Sequence, residues 1–232
     1  MATSEQLSKL HKQMQLNKKS KYEDRLISSV AKIVAEDLQN EYGVKIEIES
    51  RLYIRDIVKD LRKRFPEVKF ENPENNNSFI TPDAGISYLI DKESNKYVVL
   101  IGETKCQGTN DERQKQGLSK QAMGNAIERL GKNVIAFRTY LMNESIFPFV
   151  CFGDGCDFAK GSSILDRVHA ISMFRSLNED HTFNEGKDKE ISIGSYYFRA
   201  ESWTESEIFD IMYDVAKKSV NYYFEKYGRE IF

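Results

Sequence analysis

The sequence predicts an α/β fold, a single domain in which a central mixed β-sheet is flanked by helices. The α/β class rests on three observations. Segments with apolar residues at helical spacing alternate with short β-branched and aromatic runs along the whole chain. No Pro/Gly/Ser-rich linker or internal repeat divides the 232 residues, a length suited to one large domain or two small ones. Hydrophobic residues at 40% and aromatics at 12% exceed what a disordered chain carries, so there is material for a core without disulfide staples.

Residues 1–21 hold five lysines and one glutamate and few apolar positions, which reads as a basic, mobile N-terminal arm ahead of a domain at 22–232. A solvated tail and a nucleic-acid contact fit this arm equally well. From Tyr22 to Tyr42, the residues Ile27, Val30, Ile33, Val34 and Leu38 recur at helical spacing, with Gly43 placed to cap the helix. Val44, Ile46 and Ile48 alternate with charged residues as a short strand, and a helix from about Tyr53 ends at Phe65 because Pro66 follows. The Asn-rich stretch 71–82 is a loop. Ala84–Ile90 and Tyr97–Lys105, separated by the polar turn 91–96, form a hairpin of two core strands. A helix over roughly Lys120–Leu130 is followed by two strand-like runs, 133–141 and 147–153. A helix over 163–176, a loop over 177–190, a strand over 190–199 and an amphipathic helix over 204–225 complete the chain.

Composition excludes several function classes. With 34 Lys+Arg against 36 Asp+Glu the net charge is −2, so bulk charge does not grip a polyanion. No apolar run approaches a membrane span, and the N-terminus lacks a signal-like apolar stretch, so a cytoplasmic protein is expected with no membrane partner. Cys106, Cys151 and Cys156 form no CxxC pair, and His11, His169 and His181 show no metal-ligand spacing.

The informative spacing is Pro82-Asp83 followed by Glu103-Thr104-Lys105. On a strand, Glu103 and Lys105 project to one side while Thr104 points away. A hairpin turning at residues 93–94 sets residue 83 opposite residues 103 and 104, so Asp83 lies beside Glu103 at the strand end. Two clustered carboxylates are expensive to ionise together unless a cation lies between them, and oxygen-only ligands favour a hard ion such as Mg²⁺. Asp83 and Glu103 are therefore the expected metal ligands, and Lys105 the group that steers water or offsets phosphate charge, a set suited to phosphodiester hydrolysis. A D/E-x-K tripeptide alone is usually a solvated strand end; the apolar run ahead of Glu103 and the Pro-Asp at the matching end of the partner strand argue for more.

This pattern resembles the PD-(D/E)xK nuclease motif, and the segment Gly124-Asn125-Ala126-Ile127-Glu128-Arg129 is identical to the GNAIER segment of the EcoRI-like type II restriction endonucleases. ITPDAGI around Asp83, Gln107-Gly108, Phe147-Pro148 and IFDIMYD at 208–214 extend the resemblance over nearly the whole chain, thinning towards the N-terminus. It implies a single restriction-endonuclease-like domain and a Mg²⁺-dependent homodimeric enzyme that cuts double-stranded DNA at a palindromic AATT-centred site, leaving 5′ AATT overhangs, with a cognate DNA methyltransferase in the cell. The GNAIER residues Gly124, Asn125, Ala126, Glu128 and Arg129 are the implied readers of the inner bases. Their own chemistry agrees: Asn125, Glu128 and Arg129 stand at i, i+3 and i+4 on one helix face, and Asn, Glu and Arg side chains match donor and acceptor patterns of the major groove. Singly, each reads as an ordinary capping or solvated residue.

Near the outer base pair the chain departs from the family. Around residues 163–170, Arg167 matches the first of two family arginines, but Ala170 stands where the second would be. GAATTC, RAATTY and other AATT-centred sites all remain open, and Arg167 serves equally well as a surface ion-pair residue. Two rival readings persist: a repair or recombination nuclease without strict sequence specificity, and a DNA-binding protein without catalysis. Charge is unevenly spread: residues 105–138 hold seven Lys+Arg against three Asp+Glu, whereas 140–210 hold thirteen acidic against six basic residues. A near-neutral total thus contains a local basic stretch suited to phosphates.

Overall fold

The computed structural model describes residues 4–71, 77–106, 110, 115, 117, 124–183 and 193–232; the side chains of 4–21, 106 and 124–126 lie outside the described set. Five strands build the central sheet: β1 (Lys45–Glu49), β4 (Ile86–Ile90), β5 (Lys96–Cys106), β6 (Phe149–Asp154) and β7 (Ser195–Arg199), side by side in that order. β1, β4 and β5 pair antiparallel, whereas β5, β6 and β7 run parallel, so the sheet is mixed as expected. Two short strands, β2 (Leu52–Tyr53) and β3 (Phe79–Ile80), pair apart from it. Among the described residues the α-helices are α1 (Ser4–Tyr42), α2 (Ile54–Arg64), α3 (Gly124–Tyr140), α4 (Ser163–Ile171) and α5 (Glu205–Tyr227).

Alternation along the strands sends side chains to two cores. Val150 and Phe152 of β6 meet Ile27–Leu38 of α1 and Ile208–Tyr223 of α5, while Phe149 and Cys151 face Ile57 of α2, Leu130 and Phe137 of α3 and Val168 of α4. The sheet is therefore covered on both faces, which its parallel strands require. Among the described residues no helix is long and apolar enough to cross a membrane.

Several elements depart from the sequence reading. The first helix starts at Ser4, inside the stretch read as an arm, because neither Pro nor Gly occurs between Ser4 and Tyr42 to stop it. It ends where expected: Gly43 takes φ +70° and donates its N–H to the Gln39 carbonyl. The strand expected over 133–141 is instead the second half of α3. Val134, Ile135 and the aromatics there favour strands locally, but Ile127, Leu130, Val134, Phe137 and Leu141 are buried at steps of three and four, a helical stripe that packing enforces. The helix expected over 163–176 stops at Ile171, where Met173 and Phe174 adopt positive φ.

The β4–β5 hairpin positions the site. Its register shifts between Ser87 and Tyr88: Ser87 pairs with Leu100 and Tyr88 with Val98, leaving Val99 as an extra residue. Val99 and Leu100 consequently both enter the α1/α5 core. Continued past Ile86, this shifted register sets Asp83 opposite Thr104 rather than Glu103. Ala84 stays in the ladder, its N–H donating to the Gly102 carbonyl. Gly102 is required there, since a Cβ would lie 2.6 Å from the Ala84 Cβ and 3.3 Å from the Ile27 Cδ1.

Candidate active site

Glu103 and Lys105 lie at the C-terminal end of β5, beside the parallel strand β6. Asp83 reaches them from the bend preceding β4, where Gly85 turns the chain at φ +76°. The three side chains converge. Lys105 Nζ is 2.5 Å from Glu103 Oε1 and 3.8 Å from Asp83 Oδ2. The Asp83 N–H donates to Glu103 Oε2 at 3.3 Å, and Lys105 also donates to the Thr104 carbonyl at 2.8 Å. Glu103 is only 3% exposed, against 26% for the Asp83 side chain, so the cluster opens to solvent on the Asp83 side.

Electrostatics follow from that burial. Loss of solvent raises the Glu103 pKa, the Lys105 ammonium pulls it back, and Asp83 adds to the rise; the balance is upward. For Lys105 burial acts to lower the pKa, but Glu103, Cys151 and Asp83 outweigh it and keep the amine above its ordinary value. Lys105 is thus a fixed positive charge at neutral pH, fitted to orient water or stabilise anionic phosphate and unsuited to act as a base.

Three neighbours escaped the sequence reading. Asn133 of α3 donates its amide to Glu103 Oε1 at 3.4 Å, linking that helix to the end of β5. Reading 133–141 as a strand hid it; continued as a helix, the segment carries Asn133 one turn beyond Arg129, on the same helix. Thr104, assigned by alternation to the far face, donates its backbone N–H to Asp83 Oδ2 at 2.9 Å and its hydroxyl to the same oxygen at 3.2 Å. Asp24 of α1 lies behind, its Oδ1 3.5 Å from the Thr104 hydroxyl, with a pKa raised by burial and by Asp83. Nothing in the local sequence signals a residue so distant along the chain.

The donor set fits a hard divalent ion. Glu103 and Asp83 already gather one positive group between them, and their available atoms are oxygens. Among the described residues no group of three or more His, Cys, Asp or Glu side chains forms a metal cage. Two carboxylates suffice for Mg²⁺, which commonly completes its shell with waters and substrate phosphate.

The expected reading residues lie on α3. Glu128 and Arg129 are exposed, between the buried Ile127 and Leu130, and neither forms an ion pair with a described residue. Gly124, Asn125 and Ala126 open the helix, and their side chains lie outside the described residues. Arg167 is exposed on α4, a helix packed near α3 through Ile171, which lies 3.5 Å from where a Gly131 Cβ would stand. A buried pair sits close by in the chain: Asn110, from the connection between β5 and α3, donates to both carboxylate oxygens of Asp157 at 2.8 and 2.6 Å.

Comparison with known proteins bears on this arrangement. Residues 11–164 match the family model of restriction endonuclease EcoRI, an interval containing Asp83, Glu103, Lys105 and Gly124–Arg129. Over 174 residues the chain is 34% identical to the type II restriction enzyme RsrI of Cereibacter sphaeroides, a match spanning 61% of this chain and 63% of that enzyme. It is 28% identical over 249 aligned positions to the type II restriction enzyme EcoRI of Escherichia coli, covering 92% of this chain and 88% of that protein. With the family model matched over more than half its length, the chain belongs to the EcoRI restriction endonuclease family.

Proposed function

We propose that this protein is a type II restriction endonuclease, hydrolysing phosphodiester bonds of double-stranded DNA at a palindromic AATT-centred site (GAATTC, RAATTY or a related sequence) and leaving 5′ AATT overhangs. The convergence of Asp83, Glu103 and Lys105 at one strand end carries the reading: two carboxylates and a permanent cation at an opening from solvent are what in-line attack on a phosphate diester needs.

Mg²⁺ is the proposed cofactor, held by Asp83 and Glu103; when bound it supplies charge against the phosphate oxygens and lowers the pKa of a coordinated water. The chain's own residues do the rest. Asp83 and Glu103, fixed by Thr104 and Lys105, present their oxygens without reorganisation. The Lys105 ammonium stays protonated and offsets charge as the water oxygen bonds to phosphorus and gives up a proton to solvent, the bond to the 3′ oxygen breaks, and that oxygen takes up a proton from solvent. Products carry 5′-phosphate and 3′-hydroxyl ends.

Asn125, Glu128 and Arg129, with Gly124 and Ala126 allowing close approach, are the proposed readers of the inner bases, and Arg167 contributes at the outer pair. A self-complementary site calls for a two-fold homodimer in which each subunit cuts one strand. The proposed setting is the cytoplasm, where a cognate methyltransferase protects the host site. Residues 1–21 form a basic extension of the 22–232 domain, suited to phosphate contacts. Digesting plasmid DNA with Mg²⁺ and sequencing the ends tests the activity, the site and the cut position: fixed bands with 5′ AATT termini are expected, whereas a smear or junction-specific cuts would contradict sequence specificity.

A further inference from the structure

We infer that Thr104, the middle residue of the Glu-x-Lys tripeptide, is a positioning residue whose hydroxyl fixes the Asp83 carboxylate for metal binding. The inference deepens the proposed function and rests on it. A threonine at this place on a strand should serve the core behind the sheet, and its side chain does leave on the side of α1. The shifted register changes its task. Because the bulge at Val99 sets Asp83 opposite Thr104, the Thr104 N–H and hydroxyl both point at one atom, Asp83 Oδ2, at 2.9 and 3.2 Å. Lys105 Nζ approaches the same oxygen at 3.8 Å. Oδ2 is thereby occupied and the rotation of the carboxylate about its last bond is fixed, leaving Oδ1, which accepts no hydrogen bond from a described residue, as the oxygen to bind a cation.

Asp24 explains why a hydroxyl is needed rather than a backbone donor alone. Its Oδ1 lies 3.5 Å from the Thr104 hydroxyl on the side away from Glu103, so two carboxylates flank one O–H group. The hydroxyl is within donating distance of both, and the shorter contact, 3.2 Å to Asp83 Oδ2, is the stronger. Oriented hydrogen bonds of this kind, made to a ligand rather than to the ion, typically change metal affinity by about ten- to a hundredfold.

Thr104→Val keeps the volume, the branching and the backbone N–H and removes only the hydroxyl; Thr104→Ser keeps the hydroxyl. The valine variant is expected to need about tenfold more Mg²⁺ for half-maximal cleavage, with the rate at saturating Mg²⁺ largely recovered. Calorimetric titration of Ca²⁺ into the protein–DNA complex should show weakening of the same order. Specific DNA binding in EDTA and the thermal midpoint should be unchanged, and serine should restore the Mg²⁺ midpoint to within about twofold. A valine variant with the wild-type Mg²⁺ midpoint and Ca²⁺ affinity would overturn the inference, as would a serine variant as impaired as valine. Wild-type protein that fails to cleave DNA at any Mg²⁺ concentration would instead contradict the nuclease reading itself.

Discussion

The end of β5 and the exposed face of α3 handle charge in opposite ways. At the strand end, Asp83, Glu103, Lys105, Thr104 and Asn133 hold one another in a largely buried net, each polar group committed to a partner a few ångströms away. On α3, Glu128 and Arg129 point into solvent without an ion-pair partner among the described residues. Chemistry on a phosphate rewards groups fixed in advance, because reorganisation then adds nothing to the barrier. Reading bases rewards groups left unsatisfied until DNA supplies the complementary edge, because a wrong base then leaves them unpaired. One apolar core beneath both, from Ile101 to Leu130 and Phe137, holds them in fixed relation.

The largest expected effect lies on the committed side. Lys105→Ala should lower the cleavage rate by on the order of a thousandfold while metal-free binding to the specific site changes little. Single-turnover kinetics beside a gel-shift titration would separate the two; parallel losses would erase the contrast. Arg129→Ala on the uncommitted side should behave in reverse, weakening specific binding by about ten- to a hundredfold, as expected for a base-reading arginine, without moving the thermal midpoint. A loss confined to nonspecific DNA would recast Arg129 as a phosphate contact. Asn133→Ala cuts a hydrogen bond that joins the two regions. At 3.4 Å that bond is long, so a two- to fivefold lower rate, equivalent to about 0.5–1 kcal/mol, is expected with unchanged metal-free affinity.

The smallest effect is on pH dependence. Glu103 must be ionised to hold a cation, and burial raises its pKa, so activity should fall as pH drops through a point above the ordinary glutamate range. Proton and cation compete for the same oxygens, so the acid limb should move to lower pH as Mg²⁺ is raised. Rate profiles at two Mg²⁺ concentrations check this; an acid limb that ignores Mg²⁺ would assign it to another group.

What was legible in the sequence follows the same division. The hairpin that brings Asp83 to Glu103 could be read from the polar turn at 91–96 between two apolar runs, because counting back from the turn sets residue 83 against residues 103 and 104. The bulge at Val99 could not, since the extra residue is Val, ordinary in any strand; with it went the role of Thr104. The second half of α3 was misread because Val134, Ile135 and the aromatics favour strands, while the helical burial of Val134 and Phe137 depends on α2 and α4, which local propensity does not see. Asp24, far from Thr104 along the chain, becomes visible only once α1 lies on the sheet. Glu128 and Arg129 of the GNAIER segment were legible because their side chains are exposed rather than spent on the core.

The central claim is that cleavage and reading are separable properties of two regions, and Glu103→Gln tests it most directly. Binding in EDTA and cleavage in Mg²⁺ should be measured on one duplex with a central AATT site. The variant is expected to bind that duplex within about threefold of wild type, an allowance of roughly 0.6 kcal/mol, while cleavage falls below detection. Cleavage persisting at the wild-type rate would show that the strand-end carboxylates are not the catalytic site, and binding lost together with cleavage would show that the two regions do not act separately.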